Sequence, residues 1–98
     1  MNNVHKPDYD ENGNIIALKR FALIDYEYHY PAGFLNDIAL HADSLEDFKS
    51  WFDSDAGKSY YYGSFCYIFD FDLRSVVVDL NEGREWEPIS PTPANVVK

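Results

Sequence analysis

Residues 67–80 read Tyr67-Ile68-Phe69-Asp70-Phe71-Asp72-Leu73-Arg74-Ser75-Val76-Val77-Val78-Asp79-Leu80, two alternating runs separated by a polar break. In the first run Tyr67, Phe69 and Phe71 alternate with Ile68, Asp70 and Asp72. In the second, Val76, Val78 and Leu80 alternate with Val77 and Asp79. A period of two is that of a strand with one face buried. A turn at residues 72–75 sets Phe71 opposite Val76, Phe69 opposite Val78 and Tyr67 opposite Leu80. All the large apolar groups of this hairpin then share one face, and Asp70, Asp72 and Asp79 occupy the other.

Upstream of the hairpin the period changes. Leu45, Phe48, Trp51 and Phe52 fall on one helical stripe, which predicts a helix over residues 44–55. Asp43 or Ser44 can cap it, with Glu46 or Asp47 three residues on as in a capping box, and Gly57 is a fitting stop. Further back, residues 15–30 read as one long strand. Ile24, Tyr26, Tyr28 and Tyr30 lie on one face, Asp25, Glu27 and His29 on the other, and Pro31-Ala32-Gly33 ends it. Residues 34–41 read as a short strand. Residues 10–14 form a turn, and Pro7 confines a strand over residues 4–9 to a sheet edge.

Downstream, residues 81–84 turn into a short strand near Trp86. Pro88, Pro91 and Pro93 make residues 90–98 a Pro-rich mobile tail. The order is strands, helix, strands. It predicts an α+β fold, a single domain over residues 1–89 with an antiparallel sheet packed against one principal helix.

Composition permits such a core. The chain has 98 residues, 46% of them hydrophobic, and includes eight Tyr, seven Phe and two Trp. A chain of this length buries enough surface to fold without metal or disulfide staples, and its aromatic content is foreign to disordered acidic segments. The single cysteine, Cys66, excludes an intramolecular disulfide and, within an aromatic run, reads as a small buried hydrophobe. The first residues carry no apolar signal-peptide core, and no apolar run is long enough for a membrane helix. A cytoplasmic location is expected.

Charge narrows the function classes. Eight basic against seventeen acidic side chains give a net charge of −9. Such a surface repels nucleic acid and anionic membranes, so no direct nucleic-acid or membrane partner is expected, and it attracts basic proteins.

Motifs for catalysis or metal binding are weak. Asp8-Tyr9-Asp10-Glu11-Asn12-Gly13, followed by Ile15, resembles the opening of a calcium-binding EF-hand loop, with oxygens from Asp8, Asp10 and Asn12. The bidentate Glu that such a loop needs at its last position is Lys19, and Pro7 with the following β pattern leaves no room for flanking helices. An acidic turn is the better reading. His5, His29 and His41 are scattered, without the spacing of a zinc site. No phosphate loop, nucleophile elbow or Cys-His pair is present. Asp70, Asp72 and Asp79 on a polar face lack the burial that raises a general acid's pKa. No catalytic residue, metal or cofactor is assigned.

Acidic groups stand where local preference is against them. Asp53 and Asp55 fall at the expected helix C-terminus, where the macrodipole favours cations. Asp70, Asp72 and Asp79 crowd one hairpin face. Tyr60, Tyr61 and Tyr62 are consecutive and cannot all face a core, and Tyr is enriched at binding hot spots. These eight residues are the expected contact set for a basic protein partner: a toxin, a nuclease or another nucleic-acid-binding protein. Toxin immunity proteins, antitoxins and phage anti-defence proteins such as anti-CRISPRs have this size and charge, although no motif here ties the chain to any of them. The alternative is a non-inhibitory accessory subunit or a cation-binding module.

Overall fold

The strand Phe21–Tyr26 carries four consecutive buried residues, Phe21, Ala22, Leu23 and Ile24. Burial on both faces of a strand needs a sheet covered on both sides. In the computed structural model, which describes residues 3–26 and 38–89, that sheet has five antiparallel strands. In chain order the elements are β1 (Asp8–Tyr9), β2 (Ile15–Ile16), β3 (Phe21–Tyr26), β4 (Ile38–Ala42), α1 (Leu45–Asp53), α2 (Asp55–Ser59), β5 (Phe65–Asp70), β6 (Ser75–Asp79) and β7 (Glu87–Pro88). The sheet runs β4-β3-β5-β6-β7, and β1 and β2 form a separate two-stranded ribbon. The expected α+β class, an antiparallel sheet with one main helix, is what the chain adopts. The expected tail at residues 90–98 lies outside the described residues. Among the described residues no helix is long and apolar enough to cross a membrane.

The helix-side face of the sheet holds the main core. Phe21 and Leu23 of β3, Leu40 and Ala42 of β4, Cys66 and Ile68 of β5, and Val78 of β6 pack with Phe48 and Trp51 of α1. Phe48 is fully enclosed, and burying such a side chain stabilises by about 1.5–3 kcal/mol. The opposite face holds a smaller cluster of Ala22, Ile24 and Ile38. Ile15, Leu18, Tyr26, Tyr67, Phe69 and Phe71 pack against it.

The hairpin departs from its sequence reading in register and in face. The turn falls at residues 71–74, Asp70 pairs with Ser75 and Phe69 with Val76. A bulge at Val77 then shifts the ladder, so Ile68 faces Val78 and Tyr67 faces Asp79. Against the expected pairing the slip is two residues at Phe69 and one at Tyr67, on either side of the bulge. Cys66, Ile68 and Asp70 point to the helix side, and the aromatic Tyr67 and Phe69 lie on the opposite one, half-buried. A second bulge, at Ala39 of β4, sits beside the Leu23/Ile24 step of β3.

The expected strand over residues 15–30 is two pieces. Ile15–Ile16 pairs back on Asp8–Tyr9, and the chain breaks at Ala17, which takes a left-handed backbone with φ 53° before β3 begins. Ile24 and Tyr26 share a face as expected. Glu27, Tyr28, His29 and Tyr30 lie outside the described residues, as do residues 34–37 of the next expected strand, which is seen as β4.

The expected helix over 44–55 is interrupted. Ser44 caps α1 by accepting from the Asp47 amide. Ser54 then ends α1 and opens α2, its hydroxyl donating to the Trp51 carbonyl and accepting from the Gly57 amide. Gly57 does not stop a helix but lies inside α2. A Cβ there would come within 2.1 Å of the Trp51 carbonyl oxygen, so only glycine lets the two helices meet this closely.

Candidate functional site

The eight residues expected to meet a partner fall in four places. Asp53 and Asp55 flank Ser54 at the α1–α2 junction. Both are exposed, but their electrostatic settings differ. Asp53 closes α1, whose last turn holds no basic residue, and Lys49 one turn back reaches it at 2.6 Å. Asp55 is the first residue of α2, where the helix dipole favours a carboxylate. The expected strain at a helix C-terminus thus applies to Asp53 alone, because the helix breaks between the two.

An open groove of about 620 Å³ lies along this junction, lined by Asp47, Ser50, Trp51, Ser54 and Asp55 among others. From residue 43 to residue 59 the chain carries Asp43, Glu46, Asp47, Asp53 and Asp55 against only Lys49 and Lys58. Lys49 is already committed to Asp53 and to the Trp86 ring. Asp43 is met by Lys19 at 3.3 Å.

The tyrosines follow directly on α2 in an extended, unpaired stretch. Tyr60 and Tyr62 are half-buried and pack edge-on to Trp51, with ring centres 5.4 and 6.1 Å away. The Tyr60 hydroxyl donates to Asp25, and the Tyr62 hydroxyl donates to the Gly57 carbonyl. Burial and the neighbouring Asp25 carboxylate push the Tyr60 phenol far above its ordinary value; burial does the same for Tyr62. Tyr61 points the other way and is 84% exposed. Of the three, only Tyr61 is exposed.

Asp70 and Asp72 sit at the far end of the β5–β6 hairpin. Asp70 was expected on a solvated face and is instead 1% exposed on the helix side. Two bonds of 2.9 Å tie its carboxylate to the Arg20 guanidinium, and it accepts from the amides of Asp72 and Leu73, closing the turn. These donors, the Arg20 guanidinium foremost, hold the Asp70 carboxyl below the usual carboxylate range against the opposing effect of burial. Asp70 is therefore part of the fold, unavailable to a partner. Asp72 remains exposed, with Arg20 at 3.3 Å.

Asp79 lies toward the opposite end of the hairpin, and on the other face from Asp70. It is half-buried and accepts from the Asn81 amide. It borders a second groove of about 250 Å³ with Asn81, Glu82 and Arg84, where Cys66 forms part of the wall. The Cys66 thiol is pushed up to about 11, chiefly by burial, which keeps it protonated and unreactive.

Sequence reading missed Asp25, because Tyr60 and Gly63 come to it from more than thirty residues away. It missed Arg20 for the same reason. The acidic turn at Asp10 is satisfied internally, its carboxylate accepting from the amides of Asn12 and Asn14. Comparison with protein-family models, with curated proteins and with solved structures finds no match for this chain.

Proposed function

We propose that this protein is a small acidic inhibitor that binds a basic, nucleic-acid-processing protein through its α1–α2 layer and Tyr61. Toxin immunity and anti-defence proteins are the functional class that fits. The observation that carries the reading is the α1–α2 layer: five carboxylates against two lysines over residues 43–59, two of them, Asp47 and Asp55, lining the groove of about 620 Å³. Tyr61 strengthens it. An exposed aromatic whose two neighbours are each pinned by a hydroxyl hydrogen bond loses little freedom on binding. In this reading Asp53 and Asp55, with Asp72 and Asp79 further out, steer the encounter, and Tyr61 anchors it.

The test begins with capture of the partner from the native host, followed by kinetics with the purified pair. Asp53→Asn with Asp55→Asn lowers the on-rate and flattens its dependence on salt, since exposed charges are screened beyond about 8–10 Å. Tyr61→Ala raises the off-rate and costs about 2 kcal/mol or more. Stability serves as the control. Asp53→Asn leaves it unchanged, and Asp55→Asn lowers it by about 0.5 kcal/mol or less, through the dipole of a very short helix. Unchanged affinity and unchanged salt dependence in the neutralised protein would retire the proposal.

A further inference from the structure

Among the described residues, His41 is the buried ionisable side chain outside the groups discussed so far. It lies on β4, opposite Ala22 of β3, and is 3% exposed. On the other side its backbone pairs with His5, through bonds of 3.0 and 2.8 Å, so the N-terminal segment closes the free edge of β4. Its Nδ1 accepts from the backbone amide of Lys19 at 3.2 Å. The neutral ring must therefore carry its proton on Nε2.

Lys19 belongs to the short connection between β2 and β3. That connection starts at Ala17, a left-handed residue with a Cβ, a conformation that needs outside support. The support comes from His41 Nδ1 and from the ion pair of Lys19 with Asp43. What the connection holds in place is the β1–β2 ribbon, whose Ile15, with Leu18, covers Ala22, Ile24 and Ile38 on the back of the sheet.

We propose that His41 is an acid-sensitive latch, whose protonation releases the Lys19 amide and loosens the β1–β2 ribbon from the back face of the sheet. Protonation places a hydrogen on Nδ1, so two donors then face each other where one bond stood. The new charge also sits near the Lys19 ammonium and His5, with Asp8 and Asp43 as the carboxylates within reach. Burial, then the Lys19 charge, holds the His41 pKa below its ordinary 6.5. The sign follows directly. The unfolded chain takes up the proton first, so the latch contributes fully above pH 6.5 and is lost as the pH falls through the lower folded value.

Amide hydrogen exchange by NMR, normalised to intrinsic rates, tests this between about pH 7 and pH 5. Protection of the Lys19 amide falls by about tenfold or more over that range, together with the amides of β1 and β2, and Phe48 and Trp51 in α1 stay protected. His41→Asn keeps an acceptor near the Nδ1 position that cannot be protonated, and there Lys19 protection stays level across the range. The carboxylates are untouched in that variant, so they cannot account for the difference. The imidazole nitrogen shifts of the unaltered protein give a second readout that does not depend on the variant folding. They report an Nε2-protonated ring at pH 7 that titrates in step with Lys19 exchange. An Nδ1-protonated ring at pH 7, or a His41 that titrates with Lys19 still protected, would overturn the latch.

Discussion

Asp70 and Arg20 show how much one contact between distant parts of the chain can change the meaning of a residue. A carboxylate inside a sheet needs partners for both oxygens, and Asp70 finds them in a guanidinium fifty residues earlier and in two amides of its own turn. The consequence is a specific acid dependence. Because the folded pKa lies below the ordinary value of 3.8, the stabilisation is present above that pH and is lost as the pH falls beneath it. Urea unfolding between about pH 5 and pH 3 checks this. Asp70→Asn lowers stability at pH 5 and removes much of the fall toward pH 3. An unaltered pH slope in that variant would assign the acid sensitivity elsewhere.

At the level of elements, the two faces of β5 separate side chains by size. The helix covers the smaller β5 residues, Cys66 and Ile68, and the aromatic Tyr67 and Phe69 lie half-buried behind. Truncations should therefore be unequal. Phe48→Ala empties a closed site and costs about 3–5 kcal/mol, and Phe69→Ala costs about 1–2 kcal/mol. Denaturant midpoints of the two variants provide the comparison. The same feature explains what the sequence could and could not convey. Strand positions, the α1 stripe and the antiparallel order are local properties of residues 44–80, and they were readable. The hairpin face was not, because positions 66 and 68 are as apolar as 67 and 69, and alternation alone cannot say which set meets the helix. The break at Ser54 was hidden for a different reason. Serine is tolerated within helices, and only the packing of Gly57 on Trp51 shows that a second helix must start there. For the candidate contact residues, exposure at Asp53, Asp55 and Tyr61 followed from polarity and crowding nearby. The burial of Asp70 depended on Arg20, which no spacing rule connects to it.

Across the described residues, a sheet with apolar groups on both faces is covered by a helical layer on one side and a small ribbon on the other, in a chain of net charge −9. How closely that sheet follows the helix depends on the bulge at Val77, since an extra residue in one strand of a pair bends it and adds twist. The extra residue lies within three consecutive valines, so losing any one of them yields the same shortened chain. In that chain Ser75 can still pair with Asp70, one valine with Phe69, the next with Ile68, and Asp79 with Tyr67. Every rung survives, and so does every inward-facing side chain except one valine. What disappears is curvature. A three-nucleotide deletion in this codon run is thus a change of shape with almost no change of chemistry: the strand straightens, and the hollow that receives Phe48 and Trp51 opens. The shortened protein should keep its β-sheet circular dichroism while binding a hydrophobic dye and unfolding over a broader range of denaturant. A sharp, unshifted transition without dye binding would mean that the helix follows a flatter sheet at no cost.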